Sequence, residues 1–149
     1  MRNLTITRRK SIAGCAMKVQ VYIKDEVAGD LMINNVPCRK LGDLKNKEEK
    51  TFCIGTEETV LFVIVDKLSR NLCNDCYTIP AGEEDVALSG RNQFNPFAGN
   101  PFCFDGNNDP ESKKRRNKSK WLFVLIVCAC VIGGLFVGKV GDHVYLCGF

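Results

Sequence analysis

Histidine is nearly absent from this sequence, and its scarcity limits the catalytic chemistry that the chain can support. The single histidine is His143, so residues 1–142 offer no imidazole base to a serine or cysteine nucleophile. The phosphate-binding motifs G-x-x-x-x-G-K-[ST] and G-x-G-x-x-G are missing as well. The carboxylate cluster 83–85 lies on a predicted turn, where acids are usually solvated. We therefore predict that the protein is not an enzyme; the alternative, an enzyme with an unconventional site, would need a deep polar pocket.

Sustained helical periodicity is also missing from the first three quarters of the chain, where short apolar segments recur instead. Leu4 and Ile6 alternate with threonines, and residues 18–24 repeat this period of two, which is typical of half-buried strands. The continuous apolar run 59–65 fits a strand that is buried on both faces. The predicted strands are residues 4–7, 18–24, 27–33, 50–54, 59–65, 77–80 and 85–88. The pattern predicts a mainly β fold, a small antiparallel β-sandwich over residues 1–90.

The opening of the chain resembles the first hairpin of small PEGA-like β-sandwich modules. In that family a strand end R-x-K-S, here residues 8–11, precedes a strand x-V-Y-I, here residues 20–23. The Asp-Gly that follows in the family is replaced by residues 24–26, Lys-Asp-Glu. The resemblance covers roughly residues 3–90. It implies a sandwich of structural or binding character and supplies no active-site residues.

The chain has one long hydrophobic run, residues 121–138, and this run carries no charged side chain. In a helix that rises about 1.5 Å per residue it would reach about 27 Å, close to the ~30 Å hydrocarbon core of a bilayer. A core helix of a soluble protein is the alternative, but such helices usually show a polar residue within three turns. The run predicts one transmembrane α-helix over residues 121–138, followed by a short tail at 139–149.

Cations concentrate immediately before this run and set its predicted orientation. The basic collar, residues 113–120, holds six of them: Lys113, Lys114, Arg115, Arg116, Lys118 and Lys120. The other flank holds Lys139 beside Asp142. Because a cation-rich flank stays cytoplasmic, and because no apolar run follows the basic residues near the start as in a signal peptide, we expect a single-pass, tail-anchored-like membrane protein. Its N-terminal domain would be cytoplasmic, and the opposite topology is the alternative.

The remaining charge is slightly negative and argues against a nucleic-acid partner. Of 21 Lys and Arg residues, six lie in the collar and one is Lys139, which leaves 14 for residues 1–112 against 16 acids. Nucleic-acid binding needs a basic face on the folded domain, whereas here the positive charge lies next to the hydrophobic run. We expect the collar to contact anionic headgroups of the lipid bilayer.

Residues 91–112 change in character and predict a flexible linker between the sandwich and the collar. The tripeptide Asn-Pro-Phe occurs at 95–97 and at 100–102, and Asx-Pro pairs favour turns. In one interpretation the phenylalanines of this segment partly cap the sandwich. In the other, the two tripeptides are short ligands for a partner protein, and they resemble ligands of endocytic adaptor domains. Beyond residue 106 the segment is too polar to bury anything.

The nine cysteines include one close pair, Cys73 and Cys76, with C-x-x-C spacing. Such a pair suits one half of a zinc site, although the other ligands would have to be unpaired cysteines among residues 15, 38, 53 and 103. A redox dithiol is a second possibility, but no βαβ pattern surrounds the pair. Reduced thiols without a cofactor are the third, because the cytoplasm keeps thiols reduced.

Small residues form one stripe of the hydrophobic run and suggest self-association. Cys130, Gly134 and Gly138 recur every fourth residue, which would allow two helices to approach closely in a homodimer. The alternative is that glycine is simply common in membrane helices. Together these patterns predict a membrane-tethered β-sandwich interaction module that binds a protein or lipid surface near the bilayer. The alternative function is a metal- or redox-responsive membrane protein that uses the Cys73/Cys76 pair.

Overall fold

The chain folds into two packed β-sheets followed by one long helix. The computed structural model describes residues 1–65, 73–95, 100–107 and 109–144 of the 149-residue chain, without the side chains of 111, 115 and 132–144. The strands are β1 (Arg2–Arg8), β2 (Val19–Lys24), β3 (Leu31–Ile33), β4 (Val36–Leu44), β5 (Glu49–Ile54), β6 (Thr59–Ile64), β7 (Asp75–Ile79), β8 (Val86–Asn92) and β9 (Phe102–Phe104). The helix is α1 (Pro110–Val144).

The two sheets confirm the mainly β fold and the β-sandwich. One sheet has the strand order β5-β1-β8-β9 and the other has β3-β4-β2-β6-β7. The prediction of an antiparallel sandwich is wrong at one place, because β1 and β8 pair in parallel, with Leu4 opposite Val86. The described pairings are otherwise antiparallel.

Alternation along the strands builds the main core between the sheets. Leu4 and Ile6 on β1, and Val19 and Val21 on β2, are fully buried, as their period of two predicts. In β6 four consecutive residues, 61–64, are buried. Leu61, Val63 and Val65 belong to the main core. Phe62 and Ile64 point to the other face of the sheet and pack in a smaller cluster with Tyr22, Ile33 and Cys38. The prediction of a strand buried on both faces is therefore confirmed for residues 61–65, whereas Thr59 and Val60 are only partly buried.

Two strands lie where none was predicted. β4 occupies residues 36–44, and its pairing with β2 shifts register between Val21 and Tyr22, which breaks the simple alternation. β9 lies inside the segment expected to be a linker and pairs with β8, which itself continues to Asn92. The linker prediction for 91–112 is wrong at these residues, because Phe102 and Phe104 are fully buried in the main core.

The helix begins before the hydrophobic run rather than at it. Asp109 is the N-cap: its carboxylate accepts a hydrogen bond from the backbone N–H of Ser112 at 3.0 Å. Pro110 takes the first helical position, which needs no N–H donor. The basic collar 113–120 is consequently helical and continuous with the hydrophobic run.

The loops gather at two opposite ends of the sandwich. The helix-side end consists of the described loop residues 9–18, 45–48, 93–95 and 100–101, which follow β1, β4 and β8. The far end consists of the loops 25–30, 55–58 and 80–85, which follow β2, β5 and β7. The strand pairing shows which loops lie together. At the helix-side end the start of β2, Val19, lies opposite the end of β4, Leu44; at the far end the start of β1, Arg2, lies opposite the end of β5, Ile54.

Candidate functional site

One stripe of the first turns of α1 attaches the helix to the sandwich. Ser112, Arg116, Ser119 and Phe123 follow one another at spacings of four, three and four residues, so they share a helix face. Each of them contacts a residue of the β-domain. The base of the helix is therefore docked against the sandwich.

A buried carboxylate forms the first contact of this stripe. Asp75, the first residue of β7, is 1% exposed. It accepts hydrogen bonds from the backbone N–H of Phe104 at 2.8 Å, from the side-chain amide of Asn107 at 3.2 Å and from the hydroxyl of Ser112. Burying a charge is costly unless it is hydrogen-bonded. The three donors, which come from β9, the following turn and α1, stabilise the carboxylate and join these elements.

The next turns of α1 contact the edge formed by β9 and the loop before it. The guanidinium of Arg116 donates to the backbone carbonyls of Asn107 at 2.6 Å and Phe104 at 3.4 Å. The hydroxyl of Ser119 donates to the carbonyl of Phe94 at 2.8 Å. The rings of Phe94 and Phe123 then meet edge to face, with centroids 5.8 Å apart. Among the described side chains, the ring contact of Phe94 with Phe123 is the last of the hydrogen bonds and ring contacts given above that join α1 to the sandwich.

Some cations of the predicted collar are exposed to solvent, and one of them contacts the sandwich. Lys113, Lys114, Lys118 and Lys120 are exposed, whereas Arg116 is partly buried and holds the β9 edge. The side chain of Arg115 lies outside the described residues. Of the five collar cations whose side chains the structure describes, four are therefore open to solvent and one contacts the sandwich.

The hydrophobic part of α1 is exposed around its circumference as far as it is described. Trp121 is 70% exposed, Leu125 63% and Val131 58%, and Leu122 is the residue of 121–131 that is partly covered. Cys130, predicted to contact a second helix, is also exposed. Gly134 and Gly138 lie in the helical backbone, and their surroundings fall outside the described side chains. In the portion of the chain that the structure describes, no helix has the combined length and hydrophobicity needed to cross a membrane.

The C-x-x-C pair lies beside the smaller core cluster. Cys73 and Cys76 both pack against it, and the thiol of Cys73 donates to the carbonyl of Asp75 at 2.8 Å. Burial raises the pKa of Cys73 to about 12, which favours the protonated thiol over the thiolate that binds metals. Within residues 1–65, 73–95, 100–107 and the described part of α1, no group of three or more potential ligands could hold a metal ion.

A buried arginine, which the sequence analysis did not single out, organises the helix-side end. The side chain of Arg8 has no exposed surface and donates four hydrogen bonds, to the carbonyls of Gly14, Met17 and Leu44 and to the side-chain oxygen of Asn92, at 2.7–3.0 Å. Removal from water lowers the pKa of the guanidinium. One side chain thus fixes the β1–β2 loop to the ends of β4 and β8.

Exposed cations and exposed acids lie in the loops at opposite ends of the sandwich. The helix-side end carries the exposed cations Arg9, Lys10, Lys18, Lys45 and Lys47. The far end carries the exposed acids Glu26, Asp30, Glu57, Glu58, Glu83, Glu84 and Asp85. Two depressions lie at the far end, one of about 600 Å³ beside residues 80–88 and one of about 480 Å³ between residues 23–27 and 53–59.

Comparison with models of known protein families and with curated proteins gives no match for this chain.

Proposed function

We propose that this protein is a β-sandwich interaction module tethered to a membrane by residues 121–138, with the sandwich on the cytoplasmic side. The observation that carries the proposal is the exposed hydrophobic surface of 121–131, most of which lies beyond the contact between Phe123 and the sandwich. A helix that is apolar on all sides needs an apolar surrounding. The uncharged run continues to residue 138 in the sequence, which is long enough to span the hydrocarbon core.

The collar supports the proposed orientation. Lys113, Lys114, Lys118 and Lys120 are exposed on the helix immediately before the hydrophobic run, at the depth where lipid headgroups would lie. Each cation near an anionic surface contributes about 1 kcal/mol of binding. Such a flank also favours the cytoplasmic side.

The docked helix base gives the module a defined orientation toward its partners. Because Ser112, Arg116 and Ser119 hold the sandwich to α1, the far end is presented away from the proposed membrane. Its acids and its two depressions suit a protein partner with basic side chains. Catalysis forms no part of the proposal.

Carbonate extraction of membranes from cells that express the full chain tests the tether. We expect the protein to stay in the pellet and the double substitution Leu125→Arg/Val131→Arg to release it, because each central arginine costs about 2.5–3.5 kcal/mol of insertion. Val27→Arg, at an exposed valine of the far end, is the matched control and should stay in the pellet. Recovery of the unmodified chain in the aqueous fraction would refute the tether.

Protease treatment of sealed vesicles tests the orientation. With the sandwich on the cytoplasmic side, added protease should digest residues 1–112 in vesicles whose cytoplasmic face is outside and spare an epitope placed after residue 149. The reverse protection pattern would establish the opposite topology.

Self-association of the tether is proposed from the small-residue stripe alone. Gly134→Leu/Gly138→Leu should weaken association of the segment in a bilayer reporter assay, since larger side chains keep the helix backbones apart. Phe136→Leu, which lies off the stripe, is the control. Unchanged association of the double variant would remove the homodimer from the proposal.

A further inference from the structure

The geometry points to the helix-side end of the sandwich as a second membrane-binding surface, which takes anionic phospholipid headgroups. We define the basic surface as Lys10, Lys18, Lys45 and Lys47 together with Ile12. Its occupant is an anionic lipid bilayer, the same one that holds the helix. This inference rests on the proposed tether and assigns to the sandwich itself a direct contact with lipid.

The direction of α1 places this end toward the proposed membrane. Successive contacts of the helix move from Asp75 and Phe104, near the end of the sheets, to Phe94, which follows β8. From Ser112 to Phe123 the helix rises about 16 Å. Its exposed hydrophobic segment therefore begins beside the helix-side end, where Phe123 contacts Phe94, and any bilayer around the rest of that segment would face the loops of this end.

The chemistry of the loops matches an anionic, partly apolar surface. Lys10, Lys18, Lys45 and Lys47 are exposed, and Ile12, at the tip of the β1–β2 loop, is 90% exposed. The loops 9–18 and 45–48 hold five cations against one acid, Glu48, so their net charge is positive. Glu48 accepts a hydrogen bond from the backbone N–H of residue 45, and Glu49 accepts one from Thr7. Cations beside a projecting apolar side chain are typical of segments that bind at a lipid interface.

The loops that carry the basic surface are fixed in place. Ser11 exchanges hydrogen bonds with Asn46, backbone N–H to side-chain oxygen and side-chain amide to backbone carbonyl, both at 3.1 Å. Its hydroxyl also donates to the carbonyl of Asn92 at 3.0 Å. Together with Arg8 these bonds join the loops 9–18 and 45–48 into one surface. A preformed surface loses little conformational entropy on binding.

The charge separation of the sandwich would orient it over an anionic bilayer. The acids at the far end, including Glu57, Glu58 and Glu83, are repelled by the lipid surface that attracts the helix-side end. A protein occupant fits the basic surface less well, because the depressions of about 600 Å³ and 480 Å³ lie at the far end instead.

Fluorescence of the full chain in vesicles tests the inference. The probe is Ile12→Trp in a Trp121→Phe background, which places the single tryptophan at the tip of the β1–β2 loop. In vesicles of phosphatidylcholine with phosphatidylserine, brominated lipids should quench this tryptophan, and they should quench it much less in phosphatidylcholine alone. Quenching should fall when salt is raised, because the screening length shortens from about 10 Å to about 3 Å between 0.1 M and 1 M.

Charge reversal identifies the residues that make the contact. Lys10→Glu/Lys45→Glu should lower the ratio of lipid-bound to lipid-free sandwiches by at least about fivefold for each cation removed, since each contributes about 1 kcal/mol. Lys24→Glu/Lys40→Glu, at exposed lysines outside the helix-side end, should leave the quenching unchanged. Equal quenching with and without phosphatidylserine, or no effect of the first reversal, would overturn the inference.

The same experiment separates this inference from the tether on which it rests. A chain that fails to incorporate into vesicles refutes the tether and the lipid contact together. A chain that incorporates while its tryptophan at position 12 stays unquenched refutes the lipid contact alone. Burial of this tryptophan in native membranes, but not in protein-free vesicles, would show that the occupant is a protein and would also overturn the inference.

Discussion

Replacing Arg8 by methionine should destabilise the sandwich more than any change at an exposed cation. The guanidinium is fully buried, and its four acceptors come from the β1–β2 loop and from the ends of β4 and β8. Methionine fills part of the space but leaves these oxygens without their donor. An unsatisfied buried acceptor costs about 1–3 kcal/mol.

The total effect should be smaller than the sum over four acceptors, because carbonyls can keep a second partner and loops relax. If two of the four neutral acceptors stay unsatisfied, at about 1–3 kcal/mol each, Arg8→Met should cost about 2–6 kcal/mol. Because the total stability of a domain is about 5–15 kcal/mol, such a loss would remove a substantial part of it. Arg8→Lys should recover only part of the loss, since one ammonium cannot reach acceptors spread over a planar fork.

Urea unfolding followed by circular dichroism measures this difference, and Arg9→Met is the matched control. Arg9 is the next residue, is 49% exposed and forms an ion pair with Asp105 at 2.5 Å. Exposed pairs contribute about 0–1 kcal/mol, so the control should unfold near the midpoint of the unmodified chain. Hydrogen exchange should also accelerate in residues 9–18 of the Arg8 variant. A loss below about 1 kcal/mol would refute the view that this arginine organises the helix-side end.

Three further substitutions examine other parts of the structure. Ser112→Ala should cost about 1.5–3 kcal/mol, because its hydroxyl bonds a buried carboxylate, and hydrogen exchange should rise along the helix base; unchanged exchange would mean that this contact does not dock the helix. Gly90→Ala should cost about 1–3 kcal/mol in urea unfolding, because a methyl group there collides with the ring of Phe102, whereas Gly55→Ala, whose methyl group would come no closer than 4.0 Å to the nearest atom, should cost less; equal losses would contradict the packing. Cys73 should resist alkylation at neutral pH in the native protein, because its pKa is raised to about 12; rapid labelling, or stoichiometric zinc that is lost in Cys73→Ser, would favour the metal- or redox-responsive alternative.

Most strands of the sandwich could be predicted from the sequence, because their hydrophobic patterns are local. Periodicity of two predicted β1 and β2, and the continuous apolar run predicted β6. β4 was missed because Pro37 and a register shift interrupt its alternation. β9 was missed because three residues are too few to show a period, and their burial is decided by packing against distant strands.

The site was less predictable, since its contacts join residues far apart in the chain. Asp75 and Ser112 are separated by 37 residues, and Arg8 and Asn92 by 84. No local pattern signals such pairs. The start of the helix, in contrast, had a local signal: an Asp-Pro step is typical of an N-cap followed by the first helical position. This signal is weakened by the polar composition of residues 106–112, which is also typical of a disordered linker.

Docking of the helix base determines how the sandwich is oriented relative to the proposed membrane. With a flexible linker the sandwich would tumble above the membrane and contact it at random. With Ser112, Arg116 and Ser119 attached to the β-domain, one end of the sandwich is held beside the point where the helix emerges. The cations of that end then lie near the proposed bilayer at all times, so even a weak attraction for headgroups is strengthened by a high effective concentration. Undocking the helix base should consequently weaken the lipid contact of the sandwich without releasing the chain from the membrane.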